Sequence, residues 1–318
     1  MKKVIALLAF LMLLLTACGS SDTKTVDNQR TFLGGTNGLL ISFVEGEPPE
    51  SVTDGGSTPF TISVKLENKG EHEVPANEAW VSLKGVNPTD FGATVATLTK
   101  SPLDENILAN DINPDTGQRI DSPPVFVTLP TTGQLNFGSS LSGNSVFPLQ
   151  VDVCYYYETK ATAPLCIKEN LLDSQNTDVC TVSGIKDVQN SGGPVQITSF
   201  EEFSAGPDKV SFSFTVKNLG NGELSESGQQ CDDSTAYENV VGLTVDAGLS
   251  GLTCSGLTDG QASGTKYTGN VKLTTGERVV RCTQTVSTSI DQIKIVNVAV
   301  DYGYQESVKK NLLVKHIS

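Results

Sequence analysis

From Leu39 onward, apolar and polar residues alternate in short runs, and no long pattern of period 3.6 occurs after residue 20. Alternation over about four to eight residues marks a strand with one buried face. It predicts strands at 39–44, 60–70, 78–86, 125–129 and 147–157, then at 195–202, 209–217, 240–245, 269–273, 278–286 and 291–304. Pro48-Pro49 and Gly55-Gly56 are among the breakers between them. The stretch 87–124 is a long polar excursion with little strand pattern, the kind of insertion in which binding residues concentrate.

The pattern occurs twice. At an offset of 150 residues, Phe60, Ile62, Val64 and Leu66 fall on Val210, Phe212, Phe214 and Val216, and Asn68 and Gly70 fall on Asn218 and Gly220. Asn-x-Gly just beyond such a strand supplies a turn where positive φ is tolerated. At an offset of 147, Val151, Val153, Tyr155 and Tyr157 fall on Val298, Val300, Tyr302 and Tyr304. Each late segment is expected to fold back as a hairpin, the first through Thr159–Thr162 into Ala163–Lys168, the second returning along Lys310–Lys315. The alternating tyrosines are expected to pack across strands with their hydroxyls at the rim. Trp80, the only tryptophan, fits a core or sheet-surface position better than a sugar-stacking one. The fold class that follows is all-β, two tandem antiparallel sandwiches with domains at 37–168 and 194–318 and a linker at 169–193.

The N-terminus has another character. Lys2 and Lys3 precede the apolar run Val4–Leu15, too short for a stable transmembrane span, and Leu15-Thr16-Ala17-Cys18 follows. This segment, 1–18, resembles the signal peptide and lipobox of prokaryotic lipoproteins, which implies lipidation of Cys18 and an extracytoplasmic chain anchored to the membrane. Residues 19–36 are small and polar, as in a flexible tether. The alternating strand ending in Asn-x-Gly, with its meander and closing hairpin, resembles the CARDB-type and related immunoglobulin-like modules of archaeal and bacterial surface proteins. That resemblance implies an adhesion, scaffolding or spacer role and brings no catalytic residues.

Charge and cysteine count refine the picture. The formal charge is −14, or −16 once Lys2 and Lys3 leave with the signal, so nucleic acid is not an expected partner. Apart from Cys18 there are six cysteines, an even number suited to disulfides in an oxidising compartment. A hairpin centred near Lys160 would set Cys154 opposite Cys166. Strand context pairs Cys254 with Cys282, and elimination leaves Cys180 with Cys231, the rival being Cys166 with Cys180. No CxxC or nearby histidine suggests a metal among them.

Chemistry is sparse in the sequence. His72 and His316 are the only histidines and lack triad partners along the chain. Asp111, Asn113 and Asp115 have the spacing of calcium ligands, but Thr116 and Ser122 replace the glycine and the bidentate glutamate of an EF-hand, and an ordinary acidic loop is the preferred reading. No cofactor is expected. The leading expectation is a membrane-anchored, non-enzymatic surface protein with a structural, adhesion or protein-interaction role, its partners being the membrane and other surface proteins or glycans. The alternatives are an extracytoplasmic solute- or glycan-binding lipoprotein and, less favoured, an extracellular hydrolase.

Overall fold

Strands form where residues alternate, and the repeat's matched apolar residues are buried: Ile62, Val64 and Leu66 in one repeat, Val210, Phe212, Phe214 and Val216 in the other, whereas Ile293 and Ile295 of the 291–304 strand face outward. The structure, a computed structural model, describes residues 31–173, 175–228 and 238–317. Its strands are β1 (Leu39–Phe43), β2 (Ser51–Thr53), β3 (Ile62–Asn68), β4 (Ala79–Lys84), β5 (Thr99–Lys100), β6 (Asp111–Ile112), β7 (Arg119–Ile120), β8 (Val125–Leu129) and β9 (Ser145–Ile167). The second repeat adds β10 (Gly184–Ile185), β11 (Gln189–Asn190), β12 (Val195–Gly206), β13 (Lys209–Asn218), β14 (Glu223–Ser225) and β15 (Val240–Asp246). It ends with β16 (Leu252–Ser255), β17 (Thr258–Ser263), β18 (Lys266–Lys272), β19 (Glu277–Thr285) and β20 (Gln292–Lys315). Among the described residues only two short 3₁₀ turns, Ala76–Glu78 and Pro88–Phe91, interrupt this all-β content.

A small sheet β1-β3-β8 belongs to the first repeat, and its counterpart β10-β12-β13-β19-β16 to the second. Apart from the separate β6-β7 hairpin, the remaining strands form one shared sheet, β17-β18-β15-β20-β9-β4-β5, with β11 added to β9 and β2 and β14 to β20. The two long strands do not turn back. β9 runs straight through Thr159–Thr162, and β20 through Lys310–Lys315, and they pair antiparallel without a break from Gln292 opposite Ile167 to Val314 opposite Ser145. This corrects both expected hairpins. Thr159, the first residue of the expected turn, is buried in a hydrogen bond of 2.7 Å with the Tyr302 hydroxyl.

The ladder carries a local pseudo-two-fold. Tyr156 lies opposite Gly303, its own equivalent at the offset of 147, while Tyr157 faces Tyr302 and Tyr155 faces Tyr304. Each long strand therefore serves both repeats. The far end of β9 delivers the Cys166 N–H to Glu202 of β12, and the far end of β20 pairs with β2. The described residues from Thr31 onward accordingly form one compact unit, in which Leu171 and Ser191 are buried and β10 and β11 lie between 169 and 193.

The four tyrosines meet at this axis with their hydroxyls inside rather than at a rim. Tyr155 accepts a hydrogen bond from Leu39 N at 3.1 Å, and Tyr302 accepts one from Val195 N. Tyr157 accepts from His72 N at 3.4 Å, and Tyr304 from Gly222 N at 2.8 Å. Burial pushes all four hydroxyls up in pKa, so they stay protonated donors at neutral pH. The Asn-x-Gly motifs are part of the same arrangement. Asn68 and Asn218 accept from Gly70 N and Gly220 N at 2.9 and 3.1 Å. Neither glycine has a positive φ. A Cβ at Gly70 would lie 2.1 Å from the Tyr157 hydroxyl, and one at Gly220 2.1 Å from that of Tyr304, so glycine is required for space and not for backbone conformation.

Candidate functional site

The outer face of the shared sheet carries the polar chemistry that the core does not use. Glu158 of β9 and Asp301 of β20 are direct cross-strand neighbours, and their side chains share a hydrogen bond. Burial, and then the Glu158 charge beside it, pushes Asp301 up to about 6. Glu158 also meets Lys160 Nζ at 2.9 Å, and His72 Nδ1 stands 4.0 Å away. Burial is the main influence on His72 and draws its pKa below the usual histidine value, against the pull of Glu158.

Beside this pair the sheet dips. Asn270 of β18, Gly242 of β15, Asp301 and Glu158 form one row across four strands, and Gly242 leaves a gap between larger neighbours. The resulting depression, about 310 Å³, is walled by Asp259 and Gln261 of β17, Thr268 and Asn270, and Asp301. A bulge between Thr258 and Gln261, with Asp259 at φ 54°, turns the β17 side chains toward it. A second depression of about 270 Å³ shares Thr244 with the first and continues past Ala299, Asn297 and Lys266 to Phe32. Together they make one open groove, polar around Asp301 and more apolar toward Phe32, lined by the second repeat with Lys160, Ala161 and Thr162 of β9 at its far end.

Phe32 is held there by fixed backbone. Glu71 accepts Leu33 N at 2.9 Å, Gly34 N at 3.0 Å and Gly192 N at 2.7 Å, while Gly35 O accepts from Gly193 N and from Gln196 Nε2, each at 3.1 Å. Residues 31–36, expected in the tether, are thus joined to both repeats. Phe32, Glu158, Gly242 and Asp301 carry no signal in the sequence alone. Their signal lies in strand register, which a single sequence does not give.

The residues that were singled out are dispersed. Asp111, Asn113 and Asp115 sit on the β6–β7 hairpin, where the Asn113 side-chain oxygen accepts Asp115 N at 2.9 Å and Thr116 N at 3.1 Å, and Asp111 accepts Ile112 N at 2.7 Å. Among the described residues no group of three or more His, Cys, Asp or Glu could hold a metal ion. The 87–124 excursion packs down through buried Phe91, Leu98, Leu103 and Ile107. Trp80 is half-buried on the outer face of the first repeat, edge-to-face with Tyr156 at 5.3 Å. His316 Nδ1 meets buried Asp54 at 2.8 Å, and Asp54 also accepts Leu141 N and Ile317 N, which holds its carboxyl down at about 2.

Cys254 and Cys282 are opposite residues of β16 and β19 and are bonded. Cys166 is bonded to Cys180, which corrects the expected Cys154–Cys166 pair and leaves Cys180 unavailable to Cys231. The straight course of β9 is the reason: Cys154 and Cys166 lie far apart along one strand. Cys154 is itself disulfide-bonded. Cys231 and the lipidation candidate Cys18 lie outside the described residues.

The fold and groove define an all-β protein of several antiparallel sheets with an open surface cleft. No family model matches the sequence, and no curated protein matches it. Among solved structures it is similar to the secreted serine protease VesC from Vibrio cholerae at 10% identity and a TM-score of 0.18. That match covers 83% of this chain and 50% of the other, so this chain spans about half of that protein, and at this similarity it carries no argument about activity.

Proposed function

We propose that the protein is a non-catalytic, lipid-anchored cell-surface module that holds a rigid binding face outside the membrane. The observation that carries this is the unbroken β9–β20 ladder, which makes two repeats one body with a continuous outer face. Disulfides Cys166–Cys180 and Cys254–Cys282 suit an oxidising compartment. The signal and Cys18 motif supply the anchor, with an acyl chain contributing about 0.8 kcal/mol per buried CH₂. The repeat pattern's resemblance to surface modules agrees with that location.

The test is location. Wild-type chain should fractionate with membranes and be degraded by protease added to intact cells, whereas Cys18→Ala should leave the membrane fraction. Recovery of wild-type chain in the cytosol, or an unchanged distribution of Cys18→Ala, overturns the reading.

A further inference from the structure

We propose that the groove on the second repeat binds a neutral polysaccharide chain, resting on the surface reading above only for the source of that ligand. Its walls offer planar groups, the carboxylates of Asp259 and Asp301 and the amides of Gln261 and Asn270. Asn270 Nδ2 already donates one hydrogen to Glu226 at 2.7 Å and Asp301 hydrogen-bonds Glu158, which leaves the second Asn270 N–H, its oxygen and the remaining Asp301 oxygen for a ligand. Adjacent hydroxyls on a sugar ring suit these groups, donating to a carboxylate and exchanging donor and acceptor with an amide. The floor is formed by the small residues Gly242, Thr244 and Ala299, and the apolar surface lies toward Ala161, Val298 and Phe32 at the far end. At the far end Phe32, fixed by the Glu71 contacts, offers an aromatic face to the apolar side of a ring.

Length and charge narrow the class. Two depressions joined at Thr244 suit consecutive units of a chain better than one small solute, and the groove is open along the sheet rather than enclosed. The mature charge of −16 disfavours acidic glycans, and Lys160 and Lys266 offset Glu158 and Asp246 along the groove. The first repeat has no equivalent: at the lattice point of Gly242 it carries Trp80.

The register also supplies a decisive variant. A Cβ at Gly242 would meet nothing nearer than 3.6 Å, and its φ is ordinary, so Gly242→Val is compatible with the strand while raising the groove floor. The purified Cys18→Ala chain is run in native gels cast with mannan, glucan, galactan, arabinan or the producing cell's own neutral surface polysaccharide. At least one should retard it. Gly242→Val should abolish retardation with an unchanged or higher Tm, Asp301→Ala and Asn270→Ala should each weaken binding about tenfold, and Trp80→Ala should leave it intact. Unretarded migration in every gel, or equal retardation of wild type and Gly242→Val, overturns the proposal. A chain that reaches the cell surface yet binds none of these polymers defeats the groove alone, and one that binds but stays in the cytosol defeats the location alone.

Discussion

The outer faces of the two repeats differ most where their backbones correspond best. The shift that brings β9 onto β20 brings Cys154 onto Asp301, and with them their cross-strand neighbours Trp80 and Gly242. One repeat fills that position with the largest side chain and the other with none. Inside, the repeats agree: Asn68 and Asn218, Gly70 and Gly220, and the tyrosine pairs make the same hydrogen bonds to the same places. Interior positions are bound by packing and by the need to satisfy buried polar groups. Outer positions are released from both constraints, so that is where a duplicated framework can acquire a site.

The largest expected effect probes that interior agreement. A Cβ at Gly70 would approach both the Tyr157 hydroxyl, at 2.1 Å, and the backbone oxygen of Gly192, at 2.3 Å. At Gly220 the nearest atoms after the Tyr304 hydroxyl belong to a Pro194 side chain, at 2.9 Å. Backbone yields less than side chain, so Gly70→Ala should cost about 4 kcal/mol and Gly220→Ala about 2 kcal/mol in urea unfolding. Equal costs would mean that the two glycine sites are equivalent after all.

The exchanged strand ends are held by carboxylates with opposite pH behaviour. Glu202 accepts Cys166 N with both oxygens at 3.1 and 3.0 Å and pairs with Lys186 Nζ at 3.2 Å, yet burial dominates and pushes it up to about 7. The folded state then binds a proton that the unfolded state has released. Stability from this group is therefore full below pH of about 4.5 and falls as pH rises toward 7, by about 3 kcal/mol. Asp54 has the reverse sign: held near 2, it contributes above its ordinary value of 3.8 and loses that contribution as pH falls through about 2. Urea midpoints from pH 2 to 8 should show both limbs, with Glu202→Gln flattening the upper one and Asp54→Asn the lower.

Thr159 and Glu306 mark a smaller departure from symmetry. Thr159 bonds Tyr302 at 2.7 Å, whereas its counterpart Glu306 accepts from the Tyr155 hydroxyl at a looser 3.4 Å. Thr159→Val keeps the volume and removes the hydroxyl, so it should cost about 1.5 kcal/mol by thermal or urea unfolding. A cost no greater than that of an exposed Thr→Val control would remove Thr159 from the set of groups that keep β9 straight.

These positions show what a single sequence discloses. Period-two alternation was enough for the strands, the repeat and the all-β class, because burial on one face writes itself directly into residue order. Thr159, the first residue of the expected turn, misled because its partner lies 143 residues away and is not visible in the sequence alone. The cysteine pairing inherited that error, since Cys154 and Cys166 oppose each other only if β9 folds back. The groove was illegible for a different reason. It depends on a missing side chain at Gly242 and on the registers of β17, β18, β15 and β20, and Phe32 looked like tether because its restraints come from Glu71 rather than from its neighbours in sequence.

The smallest stability effects, at the paired positions Trp80 and Gly242, sharpen the comparison most. Trp80 is half-buried and rests edge-to-face on Tyr156, so Trp80→Ala should cost about 1 kcal/mol, far less than a core tryptophan. Gly242→Val should instead gain up to about 1 kcal/mol, because a strand-interior glycine carries an entropic penalty and an added Cβ would meet Asp301 only at an ordinary contact distance of 3.6 Å. If these opposite signs appear in thermal unfolding, the second repeat is giving up stability to keep its groove open. A destabilising Gly242→Val would mean that the glycine serves the packing of β15 against β20, and the depression would then be a by-product of that packing.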